Sequence, residues 1–215
     1  MKIWNALIVG IGGTGVITLK RILEYAALKD PKIGKLIGAE KHGLAQREGS
    51  VDVHVRFLIL DPNETKDEYF LTSPTIPVGG SDLAIGIEPV ELLRDAKFFS
   101  QKTTFIVNTY TIPPPSVISE RNTYPAFETI IKTLKETSGS KDFLIIDATK
   151  IAIEEMGEAL FGNNILLGAA LATGKIPLEK TLIEKVLREQ VKQADRNIDA
   201  LNLGYQRGLD IIQKK

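Results

Sequence analysis

The sequence contains no cysteine, and only two histidines, two methionines and one tryptophan in 215 residues. Without cysteine the chain cannot form a disulfide, ligate zinc or an iron–sulfur cluster through thiolates, or offer a cysteine nucleophile. His42 and His54 are the only imidazoles, and no third ligand lies at metal spacing, so no metal site is expected. An excess of one charge is missing too, since 27 Lys and Arg balance 27 Asp and Glu. A nucleic-acid partner normally leaves a basic footprint, so none is expected. Long apolar runs are absent: no stretch approaches the ~20 residues that span a bilayer. The opening MKIWNALIVGIGG runs into glycines before a signal-peptide core can form. These absences predict a cytoplasmic chain with no membrane partner. What remains is ordinary globular composition, 43% apolar and 25% charged. The length predicts one domain, 1–215, with one sizeable core.

The pattern of apolar residues predicts alternating strands and helices. Ala6 to Val9 is a continuous apolar run ending at Gly10, as in a buried parallel strand. Val16, Leu19, Ile22, Leu23, Ala26 and Ala27 follow at helical spacing, and Asp30-Pro31 should stop that helix. Further strands are expected at 35–39, 83–87, 103–107 and 143–146, with helices opened by Pro89 and near Pro125. Val51 to Phe57 alternates, with Asp52, His54 and Arg56 on one side, which predicts a half-buried strand in an antiparallel or edge position. Residues 61–81 read as a long loop. After Asp147 everything reads as a helical C-terminal segment, about 148–215, broken at Gly162, Gly174 and Pro177. The expected fold is α/β: a three-layer α/β/α sandwich around a mainly parallel, Rossmann-like sheet.

Three segments carry candidate chemistry. Gly10, Gly12, Gly13, Thr14 and Gly15 lie in a turn between a strand and a helix, where backbone amides and a helix start can cradle an anion. The same residues also suit a tight turn with close strand–helix packing, and both readings stand. A phosphate-binding loop of the Gly-Lys-Ser/Thr kind is ruled out. A dinucleotide site would want an acid at the end of the next strand. Asp30 sits in a turn, and Glu40 is further along than that pattern asks. The second segment, Glu40 to Ser50, gathers Glu40, His42, Gln46 and Arg47 between glycines. Such a mix on a loop points to recognition, with Arg47 able to pair with a carboxylate or phosphate. Third, Asn108 closes a strand before Pro113, Pro114 and Pro115, at the end of the sheet where ligands bind in such folds; it equally suits a turn-initiating Asn. Ser50, Asp52 and His54 lack the geometry of a hydrolytic triad. Asn164 to Ala169 and Asn197 to Tyr205 read as close helix packing in a core or subunit interface.

Taken in order, these segments resemble the gamma-type subunit of 2-oxoacid:ferredoxin oxidoreductases, and within it the beta subunit of the indolepyruvate branch. The glycine turn is similar to the family's G-x-G-G-Q-G, and Glu40–Ser50 to the branch's E-x-H-G-x-A-Q-R-G-G-S. Asn108 with its prolines, Asn164 with Leu167, Gly168 and Ala169, and Asn197 with Ala200 and Gly204 match further family segments. Thr14 stands where the family has Gln, and Glu48 where it has Gly. The resemblance implies a domain III-type fold of pyruvate:ferredoxin oxidoreductase. It also implies a complex that decarboxylates a 2-oxoacid oxidatively, passes electrons to ferredoxin and forms an acyl-coenzyme A. Thiamine diphosphate, magnesium and the iron–sulfur clusters would sit on a larger partner subunit, with none held by this chain and coenzyme A as co-substrate. Two other readings are a stand-alone NAD(P)- or nucleotide-binding protein and a non-catalytic assembly subunit.

Overall fold

A computed structural model describes residues 2–43, 49–64, 70–119 and 122–214. Six strands form one sheet: β1 (Lys2–Ile11), β2 (Ile33–His42), β3 (Ser50–Ile59), β4 (Leu83–Gly86), β5 (Thr104–Asn108) and β6 (Phe143–Ile146), in the spatial order β2-β3-β1-β4-β5-β6. β1 pairs in parallel with β4, β4 with β5, and β5 with β6. β3 runs antiparallel to both of its neighbours, β1 and β2. Only β3 is therefore reversed, and the sheet is mainly parallel as expected.

Helices cover both faces. α1 (Val16–Lys29), α5 (Ala148–Met156), α6 (Gly162–Ala172), α7 (Lys180–Gln190) and α8 (Ala194–Gln213) contribute to the larger apolar cluster, which includes Leu19, Ile85, Leu166 and Leu201. On the other face α2 (Pro89–Arg94) and α4 (Phe127–Ser138) close a smaller cluster around Leu7, Leu92, Phe105 and Leu134. A four-residue helix, α3 (Pro115–Ile118), begins at the last of the three prolines and has no apolar periodicity to announce it. The chain leaves β1 toward β2 on one side of the sheet and later returns to β4 on the other. Right-handed crossovers then put α1 and α2 on opposite faces and open a crevice at the C-terminal ends of β1 and β4.

Two expectations need correction. β3 holds the antiparallel position expected of it but is not half-buried: Asp52, His54 and Arg56 are only 4%, 3% and 6% exposed, and β2 takes the edge. The loop that follows β3 folds back over this polar face. Arg56 Nε donates to Asn5 Oδ1 at 2.8 Å, and its Nη1 donates to the carbonyls of Ser73 and Thr75. Asn5 Nδ2 donates to Gly80 O at 2.9 Å, and the Ile76 amide donates to His54 Nδ1 at 3.2 Å. An irregular segment carries backbone polar groups that must be satisfied once covered, and these three side chains supply the partners. In the C-terminal half, Gly162 opens α6 instead of breaking a helix; the break falls at Gly157, left-handed at φ 79°. The joint between α7 and α8, Val191 to Gln193, carries no glycine or proline to mark it in the sequence.

Candidate functional site

The crevice is built around the glycine turn. Gly13 and Gly15 have φ of 88° and 90°, where a side chain would strain the backbone. Gly10 needs its missing side chain for a different reason: a Cβ there would lie 3.0 Å from Val16 Cγ2 and 3.1 Å from Ile87 Cβ, so the turn could not close against the end of β4. Thr14 is folded inward, its amide and its hydroxyl both donating to Ile11 O, at 3.0 and 2.7 Å. Its carbonyl accepts from Asn163 Nδ2 at 2.5 Å. The Gly12 amide donates to Gly49 O at 2.8 Å. That amide is committed, so an anion cradle at this turn falls to Gly13, Gly15 and the start of α1, which has no side-chain cap.

The Gly12–Gly49 bond joins the first two candidate motifs, because Gly49 closes the loop that starts at Glu40. The stem of that loop is fastened by Gly43 N donating to Ser50 O at 2.8 Å and by Lys41 Nζ lying 3.6 Å from Asp52 Oδ1. Glu40 accepts from Lys20 Nζ at 3.0 Å, and His42 Nε2 lies 3.6 Å from its other oxygen. The Lys20 ammonium holds the Glu40 carboxyl below the usual range. Gln46 and Arg47, like Glu48, lie outside the described residues.

Asn108 sits at the expected strand end but is buried, at 1% exposure. Its Nδ2 donates to Ile87 O at 3.1 Å and Thr149 Oγ1 at 2.9 Å, and its Oδ1 accepts weakly from the Thr149 amide at 3.4 Å. The amide ties the ends of β4 and β6 together and is not free to hold a ligand.

Several residues shaping this end of the sheet had no sequence signal attached. Glu88, also 1% exposed, follows β4 and caps α2 through the Glu91 amide at 3.1 Å. It also accepts from the Tyr124 hydroxyl and from the Ile112 amide at 3.4 Å. Burial pushes the Glu88 carboxyl above its ordinary range despite those three donors, and burial with the Glu88 bond pushes the Tyr124 phenol up. Glu88 thus fastens the segment around the triple proline to the sheet. A Glu-Pro pair at a strand end was its one available sign. Asn163, one residue before the Asn164 helix pattern, reaches the glycine turn from 149 positions away.

On the α2 side, His54 and Asp52 lie together. Accepting from Ile76 at Nδ1 assigns the His54 proton to Nε2, which is 3.3 Å from Asp52 Oδ2 but out of line, leaving Oδ2 without a hydrogen bond. The His54 Nδ1 is thus held by the Ile76 amide and Nε2 lies toward Asp52, so no relay to Ser50 forms. Asp95, 5% exposed at the end of α2, is pushed up to about 6 by burial and by the nearby Asp52 carboxylate. Among the described residues, no group of three or more His, Cys, Asp or Glu is placed to hold a metal ion. None of the described helices is long and apolar enough to cross a membrane.

Residues 5–207 match the family model for pyruvate ferredoxin/flavodoxin oxidoreductase. The chain belongs to this family. An indolepyruvate oxidoreductase subunit IorB from Archaeoglobus fulgidus is 36% identical over 95% of this chain and 95% of its own length. The corresponding protein of Pyrococcus horikoshii is 34% identical over 99% of both chains. Among solved structures, a pyruvate oxidoreductase subunit PORC from Thermotoga maritima shares the fold at a TM-score of 0.64 and 20% identity, covering 96% of this chain and 97% of that one.

Proposed function

We propose that the chain is a subunit of a 2-oxoacid:ferredoxin oxidoreductase that acts on an aryl 2-oxoacid such as indolepyruvate. The high-coverage similarity to subunits named for indolepyruvate oxidoreductase supports this reading. The observation that carries it at the residue level is the bond from Gly12 to Gly49. It sets the glycine turn beside Gly49, the end of the second motif, and supports the reading that both motifs meet one ligand or one partner surface.

The bound thiamine diphosphate of a larger partner subunit would supply the decarboxylation chemistry, and its clusters would pass electrons to ferredoxin. This chain has no thiolate to hold such a cluster. Its own residues position and enclose. Gly13, Gly15 and the start of α1 offer backbone amides toward an anionic group of the substrate or coenzyme A. Gln46 and Arg47 orient that group, with the Arg47 guanidinium suited to a carboxylate. Asn108 and Glu88 act one step away, holding the strand ends and the proline segment that border the crevice. A stand-alone nucleotide-binding role is not favoured, because Glu40 is engaged by Lys20 and the Gly12 amide by Gly49.

Reconstitution tests the proposal. The partner subunit is assayed for arylpyruvate-dependent ferredoxin reduction with and without this chain. Activity that needs the chain and falls at least ~10-fold with Arg47→Ala, about 1.4 kcal/mol of lost stabilisation, is expected. A rate indifferent to the chain overturns it; a rate indifferent only to Arg47→Ala removes Arg47 from the site.

A further inference from the structure

The glycine turn is fixed by its own bonds on either side of one peptide. The Thr14 amide donates to Ile11 O at 3.0 Å, and the Gly15 carbonyl accepts from Leu19 N at 3.1 Å as α1 begins. The Thr14–Gly15 peptide lies between these two bonds. Its carbonyl is held from outside the turn, by Asn163 Nδ2 at 2.5 Å, across 149 positions of sequence. Sterics alone do not fix that peptide. Gly15 has φ 90°, and a residue without Cβ adopts the mirror value about as readily. The peptide can therefore turn over between its neighbours unless a partner holds one side of it.

A trans peptide is planar, so its C=O and N–H point in opposite directions. With Thr14 O drawn toward α6, the Gly15 N–H points away from α6. Turned over, the same peptide would put a carbonyl oxygen where that N–H stands, and an anion there would meet negative charge instead of a donor. Asn163 is seated to prevent this. A Cβ on Gly15 would run into Asn163 Nδ2, so the glycine leaves the room through which the side-chain amide reaches the backbone. Asn163 is half-buried in the first turn of α6, a helix buried along most of its 11 residues. Its neighbour Asn164 donates to Asn197 Oδ1 at 2.5 Å, and Asn197 Nδ2 donates to the carbonyls of Lys192 and Gln193 at 2.9 and 3.1 Å. These bonds pin α6 to α8 beside Asn163. A side chain mounted on such a rigid element holds its angle better than one mounted on a loop.

We infer that Asn163 is a positioning residue for the reaction: it locks the Thr14–Gly15 peptide with its carbonyl toward α6 and so presents the Gly15 N–H to the anionic group of the 2-oxoacid or of coenzyme A. Asn163 touches neither ligand and acts through the peptide alone. The inference rests on the subunit reading above and deepens it, because it assigns the geometry of the glycine turn to the C-terminal helical half of the chain. Without the lock the turn keeps its shape at Gly12, whose amide is held by Gly49 O, and loses one donor at Gly15 for the fraction of time the peptide is turned over.

The test compares the parent chain with Asn163→Ala and Asn163→Asp. Alanine removes the donor. Aspartate keeps the shape, but an ionised carboxylate has no proton to donate and repels Thr14 O. In the complex reconstituted with the partner subunit, KM is measured separately for the aryl 2-oxoacid and for coenzyme A. One of the two is expected to rise about 10-fold with alanine and further with aspartate, while kcat stays within about twofold, because a bond made equally to ground and transition states is lost. The ligand whose KM rises is the one that sits on the turn. A variant that merely destabilised the fold would lower the amount of active enzyme, hence kcat, and leave KM alone. In the isolated full-length chain, relaxation dispersion at the Gly15 amide should be flat for the parent and appear with Asn163→Ala, with Gly12 unchanged. A parent chain that adds no activity overturns the subunit reading and this role with it. A parent chain that restores activity, with both KM values unchanged in the two variants, overturns the role of Asn163 alone.

Discussion

Asp95 shows how a single residue can tie stability to pH. Its carboxyl titrates near 6 in the folded chain against an ordinary 3.8, first because it is buried and then because Asp52 is near, while Lys41, His54 and Lys97 pull the other way. Below the ordinary value it is neutral in both folded and unfolded states. As pH rises through about 6 the folded state must carry a poorly solvated charge that the unfolded chain solvates freely, so this group lowers stability at neutral pH. Asp95→Asn is expected to raise the unfolding free energy obtained from urea melts above pH 7 by roughly 1–2 kcal/mol once solvent screening is allowed for, and to change it little near pH 4. An equal gain at both pH values would contradict the burial account. The polar face of β3 was the least legible part of the sequence for a related reason. Alternation at Asp52, His54 and Arg56 identifies two faces, but it does not reveal that a loop about twenty residues away needs His54 and Arg56 as hydrogen-bond partners.

At the scale of elements, two fastenings deserve separate tests. Glu88 holds the segment around the triple proline through Tyr124 and the Ile112 amide. Tyr124→Phe removes one donor from a buried carboxylate and should cost about 1–3 kcal/mol. Hydrogen exchange at Ile112 should quicken more than exchange in β1; uniform change across the chain would speak against a local fastening. The second fastening is the crossing of α6 and α8. A Cβ on Gly168 would run into the Leu201 carbonyl, and one on Gly204 into the Ile165 carbonyl. Backbone cannot yield as a side-chain end can, so Gly168→Ala or Gly204→Ala should lower stability by about 3 kcal/mol or more in thermal melts. Both near-neutral would mean the helices cross further apart. The strands and α1 were legible from apolar runs bounded by glycine and proline. This crossing was legible as close packing from its small residues, though the partners were not, because contacts across 30 or more positions leave no mark in a local pattern. The α7–α8 joint was invisible because Gln193 adopts a left-handed conformation usually held by glycine.

For the whole molecule, the lack of cysteine and the neutral charge gain meaning from family membership. On the proposed reading the iron–sulfur clusters would sit on another subunit, because this chain has no thiolate to hold one. The glycine turn and the strand-end position of the second motif could be read from spacing, but their union could not, because it rests on one amide-to-carbonyl bond between Gly12 and Gly49. That union sets the end of the second motif against the glycine turn, and the proposal that a partner completes the crevice starts from it. The most direct test is ferredoxin reduction by the partner subunit with an aryl 2-oxoacid and coenzyme A, measured as this chain is titrated in. The account predicts a rate that rises to saturation at a fixed subunit ratio. A partner subunit that turns over at its full rate alone would contradict it.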